Sequence, residues 1–333
     1  MRGALAAGLA LALALALAGA LALGPYPLTA ADAIGAFARM VGIDGGAPTP
    51  GEIVFARVRL PRAAADMLVG AALSGAGAAY QTLFRNPLVS PDILGVASGA
   101  GLGAVVGILM SLPVLGIELL AFAAGLATVA TVYMIAAALR GHDRTLVLVL
   151  SGVVVGALAG AGVALVKILA DPYDQLPAIT FWLLGSLAGV KSGDLAVAAP
   201  LVLLGLVPLV LLRWRIGVLS LGDDEARALG VPVGRLRALV IAAATLMTAS
   251  VVAISGVIGW IGLMMPHIAR MLAGPNFARM LPTAMLLGAA FMLAVDTLAR
   301  TVGRVETPVG ILTAVVGAPF FLGLLARGHK TWG

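Results

Sequence analysis

The sequence predicts an all-α protein that crosses a membrane many times, and three observations support this prediction. Hydrophobic residues make up 61% of the 333 positions, and the mean hydropathy is +1.10. Only 11% of residues are charged, against roughly 25% in ordinary globular proteins. The apolar residues recur in blocks of roughly 17 to 25, the length at which an α-helix crosses about 30 Å of hydrocarbon. We therefore expect one polytopic bundle over residues 1–333.

Apolar blocks between breaks at proline, glycine and charged residues predict ten transmembrane helices. The predicted spans are residues 4–23, 62–84, 92–111, 114–139, 145–170, 194–213, 235–255, 257–273, 281–299 and 309–326. The first span is an Ala/Leu run after Arg2, a pattern that also fits a cleaved secretory signal. Because the run exceeds a usual signal core of roughly 7 to 15 residues and further spans follow it, we favour a retained helix.

The distribution of basic residues predicts the orientation of the bundle. If the amino terminus is cytoplasmic, thirteen of the 21 lysines and arginines fall on the cytoplasmic side, as the positive-inside rule expects. Both termini are then cytoplasmic. Eight fall on the outer side, and five of these are grouped at two predicted outer turns, with Arg57, Arg59 and Arg62 at one and Arg300 and Arg304 at the other. This positive charge on the outer side indicates a partner there.

The segment 171–193 lies between the fifth and sixth predicted spans. It is too short to cross the membrane and too apolar to float free in water. We expect a re-entrant or interfacial helix on the outer side. Tyr173 and Trp182 would then lie at the level of the lipid headgroups, where one end of each ring stays hydrated.

The cytoplasmic segment 219–232 has the pattern of a short helix with defined ends. Acidic residues occupy the first turn, Gly230 is placed for a left-handed stop, and Pro232 prevents continuation. Ala226 and Leu229 are three residues apart, so we expect them to form a small apolar knob on one face. Such a short helix is marginal alone, and docking into another surface would explain it. A solvated connector is the alternative interpretation.

Two predicted spans carry acidic residues near their outer ends. Asp66 follows Arg62 by four residues, and Asp296 precedes Arg300 by four. We expect each acid to pair with the arginine one turn away on its own helix. Charge at membrane depth usually indicates function, including proton relays. Because both pairs lie near an interface that arginine can reach, we expect them to orient the guanidinium groups outward.

The composition argues against chemistry on this chain. There is no cysteine, hence no disulfide or thiolate site. The three histidines, His142, His267 and His329, are isolated, so no metal site is predicted. No Gly-x-x-x-x-Gly-Lys-Ser/Thr loop is present, so nucleotide hydrolysis would require another chain. The arginines are scattered singly at helix ends, which argues against nucleic acid as a partner.

Short motifs follow one another in a specific order after residue 55. They are Arg59-Leu60-Pro61-Arg62, Gln81 with Arg85-Asn86-Pro87-Leu88, Phe181-Trp182, Ala228-Leu229-Gly230-Val231, Gly262-Leu263 with Pro266-His267, Ala299-Arg300, and Pro308-Val309-Gly310 with Gly317-Ala318-Pro319. In order and spacing the chain resembles the FecCD-type permeases, which are membrane subunits of ATP-binding-cassette (ABC) importers for iron chelates, haem and vitamin B12.

The resemblance implies the type II ABC importer architecture in a bacterial inner membrane. It implies a homodimer, two cytoplasmic ATPase chains that hold ATP and Mg²⁺, and a periplasmic substrate-binding protein, with no cofactor on this chain. Its implied docking residues for the binding protein are Arg59, Arg62 and Arg300. Its implied ATPase-coupling residues are Asp223, Asp224, Glu225, Ala226, Arg227, Ala228, Leu229 and Gly230. Its implied cytoplasmic gate is formed by Asn86, Leu88 and Thr145.

The function implied by the resemblance is import of an iron chelate, haem or corrinoid by alternating access. The same architecture with molybdate or another metal oxyanion as cargo is one alternative. A secondary carrier driven by protons through Asp66 and Asp296 is another. A membrane scaffold that recruits a partner without transport is the third.

Overall fold

The computed structural model describes residues 3–43, 46–139, 144–303 and 305–327, and these residues form helices and connecting turns without a strand. The helices are α1 (Gly3–Ala22), α2 (Ala30–Met40), α3 (Pro50–Val54), α4 (Leu60–Leu83), α5 (Val96–Leu109), α6 (Val114–Ala138), α7 (Arg144–Leu169), α8 (Gln175–Leu184), α9 (Ser192–Leu211), α10 (Arg213–Val218), α11 (Asp223–Ala228), α12 (Val233–Ser255), α13 (Ile261–Ala273), α14 (Phe277–Thr301) and α15 (Val309–Arg327). The predictions that rest on Arg2, Arg140, His142, Arg304, His329 and Lys330 fall outside the described residues.

Each of the ten predicted spans has a helix at its position. Among the described residues, six helices are long and apolar enough to cross a membrane by length and composition, namely α1, α6, α7, α9, α12 and α14. Helices α5 and α13 are shorter, with 14 and 13 residues, and the 24-residue α4 carries Arg62 and Asp66. The all-helical, multi-pass architecture is therefore confirmed, whereas the exact count of ten stays a prediction.

Helix α4 lies at the centre of the bundle, where α12, α13 and α14 pack around it. Small residues let these helices approach closely, which is the usual means of association in lipid. A Cβ atom added at Gly70 of α4 would lie 2.1 Å from the carbonyl oxygen of Gly288 on α14. At the periphery, large apolar side chains such as Leu158 on α7 and Leu204 on α9 are exposed, as expected for surfaces in contact with lipid.

Helix α1 is a member of this bundle. It packs along α14, and Ala20 near its end is fully buried. Retention of this helix stays a prediction.

Candidate functional site

Six charged residues meet where α1 ends and α4 begins, and we call them the arginine cluster. They are Arg59, Arg62, Asp66, Asp296, Arg300 and Glu306. Arg59 ends the π-helical turn Phe55–Arg59 that leads into α4. Its members come from two segments that are far apart in the sequence, residues 59–66 and 296–306, so the cluster is a product of tertiary packing.

Arg62 binds across helices instead of along its own helix. Its Nε and Nη2 atoms donate to the two carboxylate oxygens of Asp296 on α14, at 2.9 and 2.7 Å. Its guanidinium also donates to Glu306. The predicted pair between Arg62 and Asp66 is therefore wrong. The physical reason is that α14 packs directly on α4 and offers a bidentate carboxylate, the geometry that a guanidinium matches best.

The second predicted pair is present, since Arg300 Nε lies 3.4 Å from Asp296 Oδ2. Asp66 is fully buried, and neither of its carboxylate oxygens accepts a hydrogen bond from the described residues. Burial of a polar group without hydrogen bonds opposes folding. The carboxyl group of Asp66 lies beside that of Asp296, and a proton shared between the two would supply the missing hydrogen bond.

The remaining arginine contacts close the end of α1. Arg59 donates to the carbonyl oxygens of Leu21 and Ala22 at 2.6 and 2.7 Å, and also to that of Tyr26. Arg300 donates to the carbonyl oxygen of Ala20 at 2.5 Å. The last carbonyl groups of a helix lack intrahelical partners, and the negative end of the helix dipole favours a cation there.

Because of these contacts, the arginine side chains point inward. Arg59, Arg62 and Arg300 are only 4%, 7% and 8% exposed, respectively. The expectation that their guanidinium groups point outward is wrong for this conformation, because helix-end carbonyls and acidic side chains bind them. Arg57, from the same predicted group, is exposed. Docking of a partner on the three buried arginines stays a prediction.

The predicted coupling segment forms the short helix α11. Gly222 precedes it with φ 136°, and Gly230 follows it with φ 76° in the left-handed region. The amide of Val231 donates to the carbonyl of Ala226 at 2.9 Å and that of Gly230 to Arg227 at 2.9 Å, which is the pattern of a glycine-terminated helix. The predicted helix and its stop are confirmed.

The predicted apolar knob is wrong. Ala226 is fully buried, whereas Leu229 is 54% exposed, so they do not share a face. The reason is that α11 is held against α12, where Arg237 donates to both carboxylate oxygens of Asp223 at 3.0 Å. The exposed residues of this segment are Asp224, Glu225, Arg227, Ala228, Leu229 and Gly230.

The predicted gate residues occupy two separate turns. Asn86 follows α4, and its Oδ1 accepts a hydrogen bond from the amide of Leu88 at 2.9 Å, which leaves Leu88 45% exposed. Thr145 lies in the first turn of α7, and α7 packs against the 3₁₀ turn Pro91–Leu94. Their joint role as a gate stays a prediction.

The sequence reasoning missed one neighbour of α11. A Cβ atom added at Gly222 would lie 3.5 Å from Arg85 Nη1 and 2.1 Å from Glu225 Oε2. Arg85 has a positive φ of 52° and directly precedes Asn86. The turn that carries Asn86 and Leu88 therefore lies beside the start of α11. The sequence motif Arg85-Asn86-Pro87-Leu88 did not indicate this proximity.

The segment 171–193 contains a helix, as predicted, namely α8. Its first residue, Gln175, donates through Nε2 to the carbonyl of Leu109 at the end of α5 at 3.0 Å. Ile179 is fully buried and Tyr173 is 92% exposed. The predicted level of this helix at the headgroups stays a prediction. Among the described residues, no group of three His, Cys, Asp or Glu side chains is arranged to hold a metal ion.

Comparisons with known proteins agree on one family. Residues 9–327 match the model of the FecCD transport family. A probable iron chelatin transport system permease protein of Helicobacter pylori is 43% identical over 275 residues, which cover 83% of this chain and 83% of the relative. The molybdate import system permease protein MolB of Haemophilus influenzae is 39% identical over 287 residues, which cover 86% of this chain and 84% of the relative.

The fold agrees with a solved structure as well. That structure is described as an inward-facing conformation of a metal-chelate type ABC transporter. It matches with a TM-score of 0.86 and 37% identity, and the match covers 96% of this chain and 98% of that one. Since the family model spans almost the whole chain and both relatives are similar over more than four fifths of their length, the chain belongs to the FecCD transport family.

Proposed function

We propose that this chain is the permease subunit of an ATP-driven ABC importer that moves an iron chelate, haem or corrinoid from the periplasm to the cytoplasm. The observation that carries the proposal is α11, a short helix that the Asp223–Arg237 pair anchors to the bundle while Leu229 remains exposed. An exposed apolar side chain on an anchored helix is suited to a groove on another protein. Within this family, the natural occupant of that position is an ATPase.

The assembly in this proposal contains a second copy of the chain, two cytoplasmic ATPase subunits and a periplasmic binding protein, in the inner membrane of a bacterium. Both termini and α11 face the cytoplasm, and the arginine cluster faces the periplasm. ATP and Mg²⁺ bind to the ATPase chains, and nucleic acid has no role. This chain contributes a bistable membrane element whose two states the ATPases and the binding protein favour differently.

The link from α11 to the gate runs through the turn that carries Arg85. Because Arg85 lies beside the start of α11 and directly precedes Asn86, a displacement of α11 by the ATPases acts on the gate turn directly. Leu88 and Thr145 then separate in the inward-open state and approach each other in the outward-open state.

Reconstitution in liposomes with the cognate ATPase and binding protein tests the proposal. We expect ATP-dependent, vanadate-sensitive uptake, and we expect Leu229→Asp to abolish both complex formation and uptake. Uptake driven by a proton gradient without nucleotide would contradict the proposal and favour the secondary carrier, for which the buried Asp66 is the residue to substitute. Complex formation without any cargo movement would favour the scaffold.

The cargo has a specific alternative, because MolB is a molybdate import permease and is 39% identical to this chain. We assign the iron-chelate class because the 43% identical relative is an iron chelatin permease. Mass spectrometry of the ligand that co-purifies with the cognate binding protein separates the two. A bound oxyanion in place of a chelate would overturn the cargo assignment and leave the permease assignment intact.

A further inference from the structure

The helical path is interrupted inside the bundle between α12, which ends at Ser255, and α13, which begins at Ile261. The backbone between them is unwound, and Trp260 has a φ of 69°. A bulky residue in the left-handed region is strained, and such strain persists only where the surroundings hold it. Interrupted helices in transporters commonly lie along the transport path. Trp260 is therefore a candidate for a residue whose side chain moves during transport.

The side chain of Trp260 rests on a glycine of α15. A Cβ atom added at Gly317 would lie 2.7 Å from Trp260 Cβ and Cγ, and 2.8 Å from Cδ2. Real Cβ atoms do not approach other atoms so closely, so only glycine at position 317 allows the indole ring to occupy this place. Gly317 is thus the packing site, or seat, of the Trp260 ring, and a methyl group at position 317 would displace the ring.

Trp260 lines two cavities. The first, of about 190 Å³, is the more enclosed, and its lining includes Leu73, Ser90, Asp92, Thr248, Ile258 and Trp260. The second, of about 430 Å³, is more open and lies along α15, and its lining includes Leu183, Val257, Trp260, Gly310, Ala314 and Val315. Of the side chains that line these cavities, that of Trp260 alone is common to both, because Gly259 has none. The indole therefore lies between an inner and an open space.

The lining of the inner cavity includes the polar side chains of Ser90, Asp92 and Thr248, which can form hydrogen bonds with water. Asp92 is at its edge and accepts a hydrogen bond from the amide of Ala97, at the start of α5, at 2.7 Å. The volume is sufficient for several water molecules. Because the Trp260 ring separates this inner cavity from the open one, the position of the ring controls access to the inner cavity.

We propose that Trp260 is a gate between these two cavities, closed when its ring rests on Gly317. Its carbonyl oxygen accepts hydrogen bonds from the amides of Leu263 and Met264, at 3.0 and 2.8 Å, so the residue moves with α13. A tilt of α13 relative to α15 lifts the ring from its seat and joins the cavities. The proposal rests on the proposed permease function, since it assigns this residue to the transport path.

Cysteine labelling tests the gate, because the chain has no native cysteine. Thr248→Cys places a thiol in the inner cavity, and a water-soluble methanethiosulfonate reagent measures its accessibility in the full-length protein reconstituted in vesicles. We expect slow labelling in this parent and labelling faster by about tenfold or more when Trp260→Ala is added, since a minor open state is populated at roughly 10% or less.

Gly317→Ala is the second variant, because it retains the tryptophan and removes its seat. We expect the same acceleration. The matched control is Gly323→Ala on the same helix, where an added Cβ meets no atom within 4 Å, and we expect no change. Equal labelling rates in the parent, Trp260→Ala and Gly317→Ala, with all three folded by size-exclusion chromatography, would overturn the gate.

Labelling requires neither ATPase nor cargo, so its result is independent of the uptake assay. Accelerated labelling without ATP-dependent uptake would refute the proposed function and leave an access gate. Uptake with unchanged labelling would refute the gate alone. If Trp260→Ala does not fold, the labelling rate of Gly317→Ala compared with that of Gly323→Ala still tests the gate.

Discussion

The arginine cluster and the coupling helix α11 use the same residue types in opposite ways. In the arginine cluster the guanidinium groups are buried, and they bind Asp296, Glu306 and the end of α1. On α11 the pair between Arg227 and Asp224 is largely exposed, with 60% and 92% of the two side chains accessible. Only the pair of Asp223 with Arg237 is shielded. Charged residues in the arginine cluster therefore join helices to one another, whereas those of α11 attach a short helix to the bundle and leave its outer face exposed.

Loss of a buried ion pair in the arginine cluster should destabilise the protein strongly. Arg62→Ala leaves the buried carboxylate of Asp296 with only its longer contact to Arg300, and removal of one partner of a buried pair costs about 3–5 kcal/mol. We expect a large fall in the unfolding free energy, measured by denaturant titration of the purified protein in detergent.

The control for that experiment is Arg227→Ala on α11. Its exposed pair should contribute about 0–1 kcal/mol. If the two alanine variants lose similar unfolding free energy, the buried and the exposed pairs contribute equally to stability. Arg62 would then not be the residue that holds α4 to α14.

The next effect concerns the attachment of α11. Arg237→Ala removes the two hydrogen bonds to Asp223, and hydrogen bonds to charged groups contribute about 1.5–3 kcal/mol. We expect the affinity for the cognate ATPase to fall by roughly tenfold to a hundredfold, measured by titration in detergent, because α11 must then be ordered on binding. Arg235→Ala on the exposed side of the same helix is the matched control. Equal losses in both variants would mean that net positive charge, and not the anchor, determines docking.

Features that depend on contacts between residues close in the sequence could be predicted, whereas those that depend on distant contacts could not. The stop of α11 at Gly230 depends on neighbouring residues, and local patterns are sufficient to predict it. The partner of Arg62 is 234 positions away in the chain, and the choice of Asp296 over Asp66 depends on how α4 packs on α14. The burial of Ala226 was equally hidden, since a helix of six residues has too little periodicity to show which side faces the bundle.

A smaller effect tests whether the buried arginines dock a binding protein at all. If Arg62 receives an acidic residue from that protein, Glu306 competes for it, because Glu306 is the more exposed of its two partners. We expect Glu306→Gln to strengthen docking by a few-fold, the range of a partly exposed pair, in a binding assay at low salt. Asp174→Asn removes an equal charge on the same predicted side without an arginine contact and should leave docking unchanged. Weaker docking in Glu306→Gln would assign recognition to the acid and not to the arginine.

The smallest effect is expected where the charge is most exposed. Asp224 lies in the first turn of α11 and contacts only the exposed Arg227 among the described ion pairs. Because solvent screens such a pair, we expect Asp224→Asn to change the ATPase affinity by about twofold at most, and we expect the change to vanish at high salt. A tenfold loss that persists at high salt would mean that the carboxylate is buried against the ATPase in the complex. The face of α11 would then bind through charge as the arginine cluster does, and the difference between the two regions would belong to the isolated subunit alone.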